Sequence, residues 1–159
     1  MKTLSITIGV PGSGKSTWLA KYKQDAKIIS RDAIRFSLLD DDDDYFAYED
    51  EVLSIFYKKI NTALKNDKGP DEVIVDATHL SPRGRNKLFA NIDFENVEKK
   101  VAYYFDVDTK TCLARNRLRT GRACVPDDVI YQMSKSRAYP EDNEAFDWIY
   151  VINSEGELV

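Results

Sequence analysis

The sequence predicts an α/β fold, a three-layer sandwich with a mostly parallel sheet flanked by helices, and two observations carry that expectation. Short apolar, β-branched runs alternate with stretches of helical periodicity along the whole 159-residue chain, the order that builds a parallel sheet covered on both faces. The first of those runs leads directly into Gly9-Val10-Pro11-Gly12-Ser13-Gly14-Lys15-Ser16, a glycine-rich junction between a strand and a helix.

Each element has its own signal. Residues 4–8 alternate apolar and hydroxyl side chains and read as a strand. A helix is expected from Lys15, with Trp18, Leu19 and Tyr22 on one face. Residues 27–30 form a short strand and residues 33–39 a helix. The run 40–44 is five aspartates, read as a solvated loop or as a surface that steers charged partners. Residues 46–64 carry the longest helical pattern, with Glu49, Val52, Phe56, Ile60 and Ala63 in step. A buried-type strand follows at 72–76, closing on an acid. Pro82 suits a helical first turn, and that helix is expected to reach residue 92. The next strand is placed at 101–107, then a helix from Thr109 as N-cap to 118. A basic, glycine-containing loop spans 119–126, a helix 127–135 and a last strand 148–152. The domain expectation is one unit over residues 1–159.

Composition narrows the function classes. Apolar residues make up 43% and charged residues 31%, an ordinary globular balance. A net charge of −4 argues against a basic coat for long duplex DNA but leaves room for a short basic groove. Two cysteines and one histidine offer no familiar zinc spacing. No apolar run nears the ~20 residues that span a bilayer, and the N-terminus reads as a strand, not a signal peptide. A cytoplasmic location is expected.

The loop at residues 9–16 matches G-x-x-x-x-G-K-[ST] at every fixed position, the signature of a P-loop NTPase. Gly9, Pro11, Gly12, Ser13, Gly14, Lys15, Ser16 and Thr17 are therefore the expected cofactor-binding set. Glycines let successive N–H groups surround phosphate oxygens, and the helix N-terminus adds unpaired donors. Lys15 is expected to neutralise the outer phosphates of ATP, and the Ser16 hydroxyl to ligate Mg²⁺.

The acceptor side is read from Ser30-Arg31-Asp32-Ala33-Ile34-Arg35. Ligands of parallel sheets gather at the carboxyl ends of strands, which places Asp32 near the transferred phosphate as a general base. Its alternative role is a helix cap. Arg35 lies one turn further on, placed to bind an acceptor phosphate bidentately, while Arg31 is read as structural. Asp76 ends an apolar strand and either holds the metal, organises Lys15 or Arg35, or orders the next loop. His79 is read as solvated or loop-bracing, with contact to the acceptor strand as the remaining reading. Arg115, Arg117, Arg119 and Arg122 crowd around Thr120-Gly121 like a kinase lid. A lid arginine stabilises charge on the moving phosphoryl group; the plainer role of the four is contact with a helix C-terminus.

These segments together resemble the kinase domain of phage polynucleotide 5′-hydroxyl kinases, end-healing enzymes of nucleic-acid repair. The likeness runs through Thr7–Trp18, the Arg31-Asp32-Ala33-Ile34-Arg35 segment, Asp76-Ala77-Thr78-His79-Leu80-Ser81-Pro82, and Phe105-Asp106-Val107 with Arg115 to Arg119 and Val125-Pro126. It covers about residues 1–135. The resemblance implies Asp32 as base, Arg35 as clamp on the acceptor's 3′-phosphate, and Arg119 or Arg122 as lid arginine touching ATP. It further implies Asp76, Thr78 and Val125 at the acceptor and Ser16 and Asp76 at Mg²⁺. The partners implied are ATP and the 5′-OH ends of DNA or RNA, with no membrane, in the host cytoplasm if the chain is phage-encoded. His79 departs from the Asn usual in that family. The Asp-x-Asp-Gly-Thr motif of the often-fused phosphatase domain is missing, so a 3′-phosphatase activity is not expected.

Three functions follow from the residues: a polynucleotide 5′-hydroxyl kinase, a small-molecule kinase of the same fold acting on a nucleoside or sugar, and a non-catalytic NTP-gated switch.

Overall fold

The computed structural model describes all residues from Met1 to Val159. Its sheet has five strands in the order β2-β3-β1-β4-β5: β1 Lys2–Ile8, β2 Lys27–Ser30, β3 Glu72–Asp76, β4 Val97–Phe105 and β5 Trp148–Ile152. Every neighbouring pair is parallel. The helices are α1 Lys15–Tyr22, α2 Arg31–Leu38, α3 Glu49–Lys65, α4 Pro82–Ala90, α5 Thr109–Arg117 and α6 Asp127–Ser136. An antiparallel bridge from Ile152 to Leu158 folds the C-terminal residues back onto β5.

The alternation in β1 divides the two faces of the sheet. Leu4, Ile6 and Ile8 are fully buried and pack with Phe56, Ile60 and Leu64 of α3 and Leu88 of α4. Ser5 and Thr7, equally buried, face the side covered by α1. A buried hydroxyl needs a partner, and both find one on β3: Ser5 Oγ donates to Glu72 Oε2 at 2.6 Å and Thr7 Oγ1 to Asp76 Oδ1 at 2.9 Å. The hydroxyl pattern of the first strand thus ties it to the acid that ends the third.

Several boundaries differ from expectation, each for a local reason. The first helix buries Trp18 and Leu19 but leaves Tyr22 at 53% exposure, because Tyr22 lies at the helix end. Helix α2 starts earlier, at Arg31, since Ser30 Oγ accepts from Ala33 N and caps it; Asp32 is therefore not the cap. Likewise Asp108, not Thr109, caps α5 by accepting from Thr111 N. Helix α3 begins at Glu49 rather than 46, and its last buried contact is Leu64 where Ala63 was expected. Helix α4 ends at Ala90, short of 92. Strand β4 extends back to Val97 through a polar Glu-Lys-Lys stretch and stops at Phe105. Glu98 and Lys99 are exposed, and the stretch after Val97 carries no apolar signal.

Candidate functional site

The loop from Gly9 to Gly14 leaves the carboxyl end of the central strand. Gly12 and Gly14 adopt φ values of +86° and +93°, conformations that L side chains resist. A Cβ on Gly12 would stand 2.4 Å from the carbonyl oxygen of Cys112, so α5 presses directly on the loop. Gly14 caps α1 without any side-chain hydrogen bond, which leaves the first amides of the helix available to an anion. The Ser13 hydroxyl is buried with no partner. Lys15 Nζ folds back to donate to the carbonyls of Gly9 at 2.8 Å and Val10 at 3.1 Å. Burial lowers its pKa to about 8, against the pull of Asp76. Ser16 and Thr17 follow, both exposed. An unpartnered hydroxyl, bare amides and a lysine resting on its own loop fit a polyphosphate.

Asp76 stands at the end of β3, next to the loop. Burial pushes its carboxyl pKa up, opposed by the charge of Lys15 and the hydrogen bond from Thr7. Behind it, Thr78 accepts at its carbonyl from Gly9 N at 3.0 Å, joining the β3 exit to the phosphate loop. One carboxylate and one hydroxyl suit Mg²⁺, which takes few protein ligands and fills its shell with phosphate and water.

The acceptor segment lies across β3 from this loop, on the outer strand β2. Asp32 has a side chain 61% exposed, and its charge acts on both Lys15 and Asp76. The structure therefore brings Asp32 to the same end of the sheet as the phosphate loop. Arg35 is almost entirely buried and fully engaged. Its Nη1 donates to Asp32 at 2.5 Å and to Tyr45 at 2.9 Å, while Nε and Nη2 donate to both oxygens of Glu49 at 2.9–3.2 Å. All three guanidinium nitrogens are partnered. Arg31 also binds Glu49, in keeping with a structural role.

The arginine-rich loop folds as a short 3-10 turn at Gly121–Ala123. Arg119 is exposed, donates to the Ala123 carbonyl at 3.2 Å, and its charge reaches Lys15 and Asp76. Arg122 instead engages the aspartate run. Its Nη2 donates to the carbonyls of Asp40, Asp41 and Asp43. Of the two, Arg119 is the one whose charge acts on Lys15 and Asp76. Val125 is held at both its N–H and C=O by the buried Asn116, and Arg117 pairs with Asp127 at 2.7 Å.

Two contributors to this region carry no local signal, and a third carries only a weak one. Glu49 and Tyr45 reach Arg35 from 14 and 10 residues away. Arg115 places Nη1 3.3 Å from the point where a Cβ on Gly14 would stand. The crowding of arginines around residue 120 marks Arg115 in the sequence, but not its contact with Gly14.

A family model described as an AAA domain matches residues 4–140. The chain belongs to that family. This AAA-domain protein also resembles solved structures. One is a chain of the Pnkp1/Rnl/Hen1 RNA repair complex, at 24% identity with a TM-score of 0.73; the match covers 91% of this chain but only 47% of that one. A sugar kinase from Janibacter sp. HTCC2649 is 16% identical over 99% of this chain and 88% of its own, with a TM-score of 0.62. A gluconokinase from Sinorhizobium meliloti 1021 is 18% identical over 96% and 82%, with a TM-score of 0.57. The AAA-domain protein accordingly has a P-loop kinase-like fold. No helix in it is long and apolar enough to cross a membrane.

Proposed function

We propose that this protein is a polynucleotide 5′-hydroxyl kinase, moving the γ-phosphate of ATP to the 5′-OH of DNA or RNA ends. One observation carries the reading: an exposed carboxylate, Asp32, shares the carboxyl end of the sheet with Lys15, close enough for their charges to interact. A P-loop alone needs no such group. Asp32 would take the proton of the attacking hydroxyl, and Arg119 would counter charge on the transferring phosphoryl group. Ser16 and Asp76 would hold Mg²⁺, which neutralises phosphate charge when bound. Thr78 and Val125 would line the acceptor channel.

Arg35 would clamp the acceptor's 3′-phosphate after exchanging one carboxylate partner for it. That exchange also gives a second reading its support. With all three guanidinium nitrogens already partnered, Arg35 serves a neutral acceptor without rearrangement, as a sugar or nucleoside kinase requires. Transfer from γ-labelled ATP to a 5′-OH oligonucleotide, a 3′-nucleoside monophosphate, a nucleoside and a sugar panel separates the two. Labelled oligonucleotide is expected, with Arg35→Ala weakening that transfer while sparing ATP hydrolysis in water. Label confined to a sugar or nucleoside would replace the reading.

A further inference from the structure

His79 occupies the loop after β3, the strand that separates the phosphate-loop strand from the acceptor strand. Its φ of +45° is left-handed, a conformation that residues with a Cβ hold only when their surroundings enforce it, and that gathers at functional sites. Here two long-range bonds enforce it. Nδ1 lies 2.8 Å from the carbonyl oxygen of Thr7, so Nδ1 carries the proton, because a carbonyl can only accept. The His79 carbonyl accepts from Arg85 Nη1 at 2.8 Å, and Arg85 is itself fixed by a fully buried pair with Glu144. The ring is thereby locked in position and in tautomer, leaving Nε2 with a free lone pair and no partner within the protein. Thr7 lies two residues before the phosphate loop, and β3 runs between β1 and the β2 strand that leads into α2, so the ring sits at the carboxyl end of the sheet beside the phosphate loop, where Lys15 and Arg31 act electrostatically on it. Burial, reinforced by those cations, holds its pKa down to about 4, so near neutrality Nε2 remains an acceptor.

A neutral acceptor nitrogen fixed at that place calls for a donor on the molecule being phosphorylated. In a polynucleotide end the 5′-hydroxyl attacks and the 3′-oxygen is esterified. The 2′-hydroxyl is then the only donor left on the terminal sugar, and it is the group that tells RNA from DNA. We propose that His79 contacts the acceptor, Nε2 accepting a hydrogen bond from the 2′-hydroxyl of the terminal ribose, so that RNA ends are preferred over DNA ends. The inference rests on the polynucleotide kinase reading and adds a specificity-determining residue to it.

The test uses 5′-hydroxyl, 3′-phosphorylated oligonucleotides in matched ribo and deoxyribo forms. Wild type is expected to favour the ribo form by about 3- to 10-fold in kcat/KM, the worth of one neutral hydrogen bond. His79→Asn should abolish that preference with the KM for ATP and the Tm unchanged, because Asn tolerates positive φ and its amide can still donate to Thr7. An independent readout needs no variant. The chain has one histidine, so ¹⁵N-histidine labelling gives an unambiguous ring signal. The Nε2 resonance is expected to move on adding the ribo oligonucleotide and to stay still with the deoxyribo form. Equal use of both forms by wild type, a preference that survives His79→Asn, or an Nε2 signal indifferent to saturating RNA would overturn the assignment while leaving the kinase reading intact. Absence of transfer to every oligonucleotide would overturn both.

Discussion

Breaking the ion pair between Arg85 and Glu144 should be the most damaging single change away from the phosphate loop. Both side chains are 0% exposed. Arg85 Nε and Nη2 meet the two carboxylate oxygens at 2.5 and 3.0 Å, and Nη1 holds the His79 carbonyl. On the other side, Glu144 Oε2 accepts from Glu141 N at 2.7 Å. Arg85→Met would leave a buried carboxylate with that one backbone donor, and stranding a buried charge costs about 3–5 kcal/mol. At about 2–4 °C per kcal/mol for a domain of this size, Tm should fall by about 6–20 °C. Replacing both partners removes the stranded charge. The double variant Arg85→Met with Glu144→Leu should therefore recover most of the loss seen with Arg85→Met alone. Calorimetric unfolding of the two single variants and the double one measures this coupling. Tm losses in the double variant equal to the sum of the singles would refute the reasoning, as would a loss under about 1 kcal/mol for Arg85→Met, well below the range for a buried pair.

Other predictions concern the phosphate loop and the acceptor carboxylate. Lys15 has a pKa near 8 in the free protein, and bound phosphates would raise it. Above that pH, binding must take up a proton, so ATP affinity should be flat below pH 8 and fall towards tenfold per pH unit above it; calorimetric titration across pH 6.5–9.5 checks this, and constant affinity throughout would exclude it. Gly12→Ala places a Cβ at φ +86° and 2.4 Å from the Cys112 carbonyl. The left-handed backbone alone costs about 1–2 kcal/mol, so binding of a fluorescent ATP analogue should weaken by at least about fivefold. Asp32→Asn should lower kcat by about 10²–10⁴-fold, the usual contribution of a general base, with ATP affinity kept; an unchanged transfer rate would remove Asp32 from the chemistry.

How far the sequence discloses this protein depends on how local each signal is. The phosphate loop is written in consecutive residues, and two of its glycines, Gly12 and Gly14, take positive φ values. Alternation in β1 discloses both the strand and its two faces. The start of β4 is invisible, because an exposed Glu-Lys-Lys stretch has no apolar pattern to show. Helix caps are confused where neighbouring residues can both act, as with Ser30 and Asp32 or Asp108 and Thr109. The surroundings of Arg35 are hidden for a different reason. Glu49 and Tyr45 act on it only once α2 is folded against the start of α3 and the loop before it, and nothing in their own neighbourhoods marks them. Arg85 and Glu144 are 59 residues apart and read as ordinary surface charges until the fold buries them.

The grip of Arg122 on the aspartate run has a consequence for how that run can vary. Its guanidinium meets main-chain oxygens of Asp40, Asp41 and Asp43, never their side chains. Anchorage and negative charge are therefore separable properties of the same few residues. Replacement of the aspartates by asparagine would recast the local potential while leaving the tether between the two loops in place.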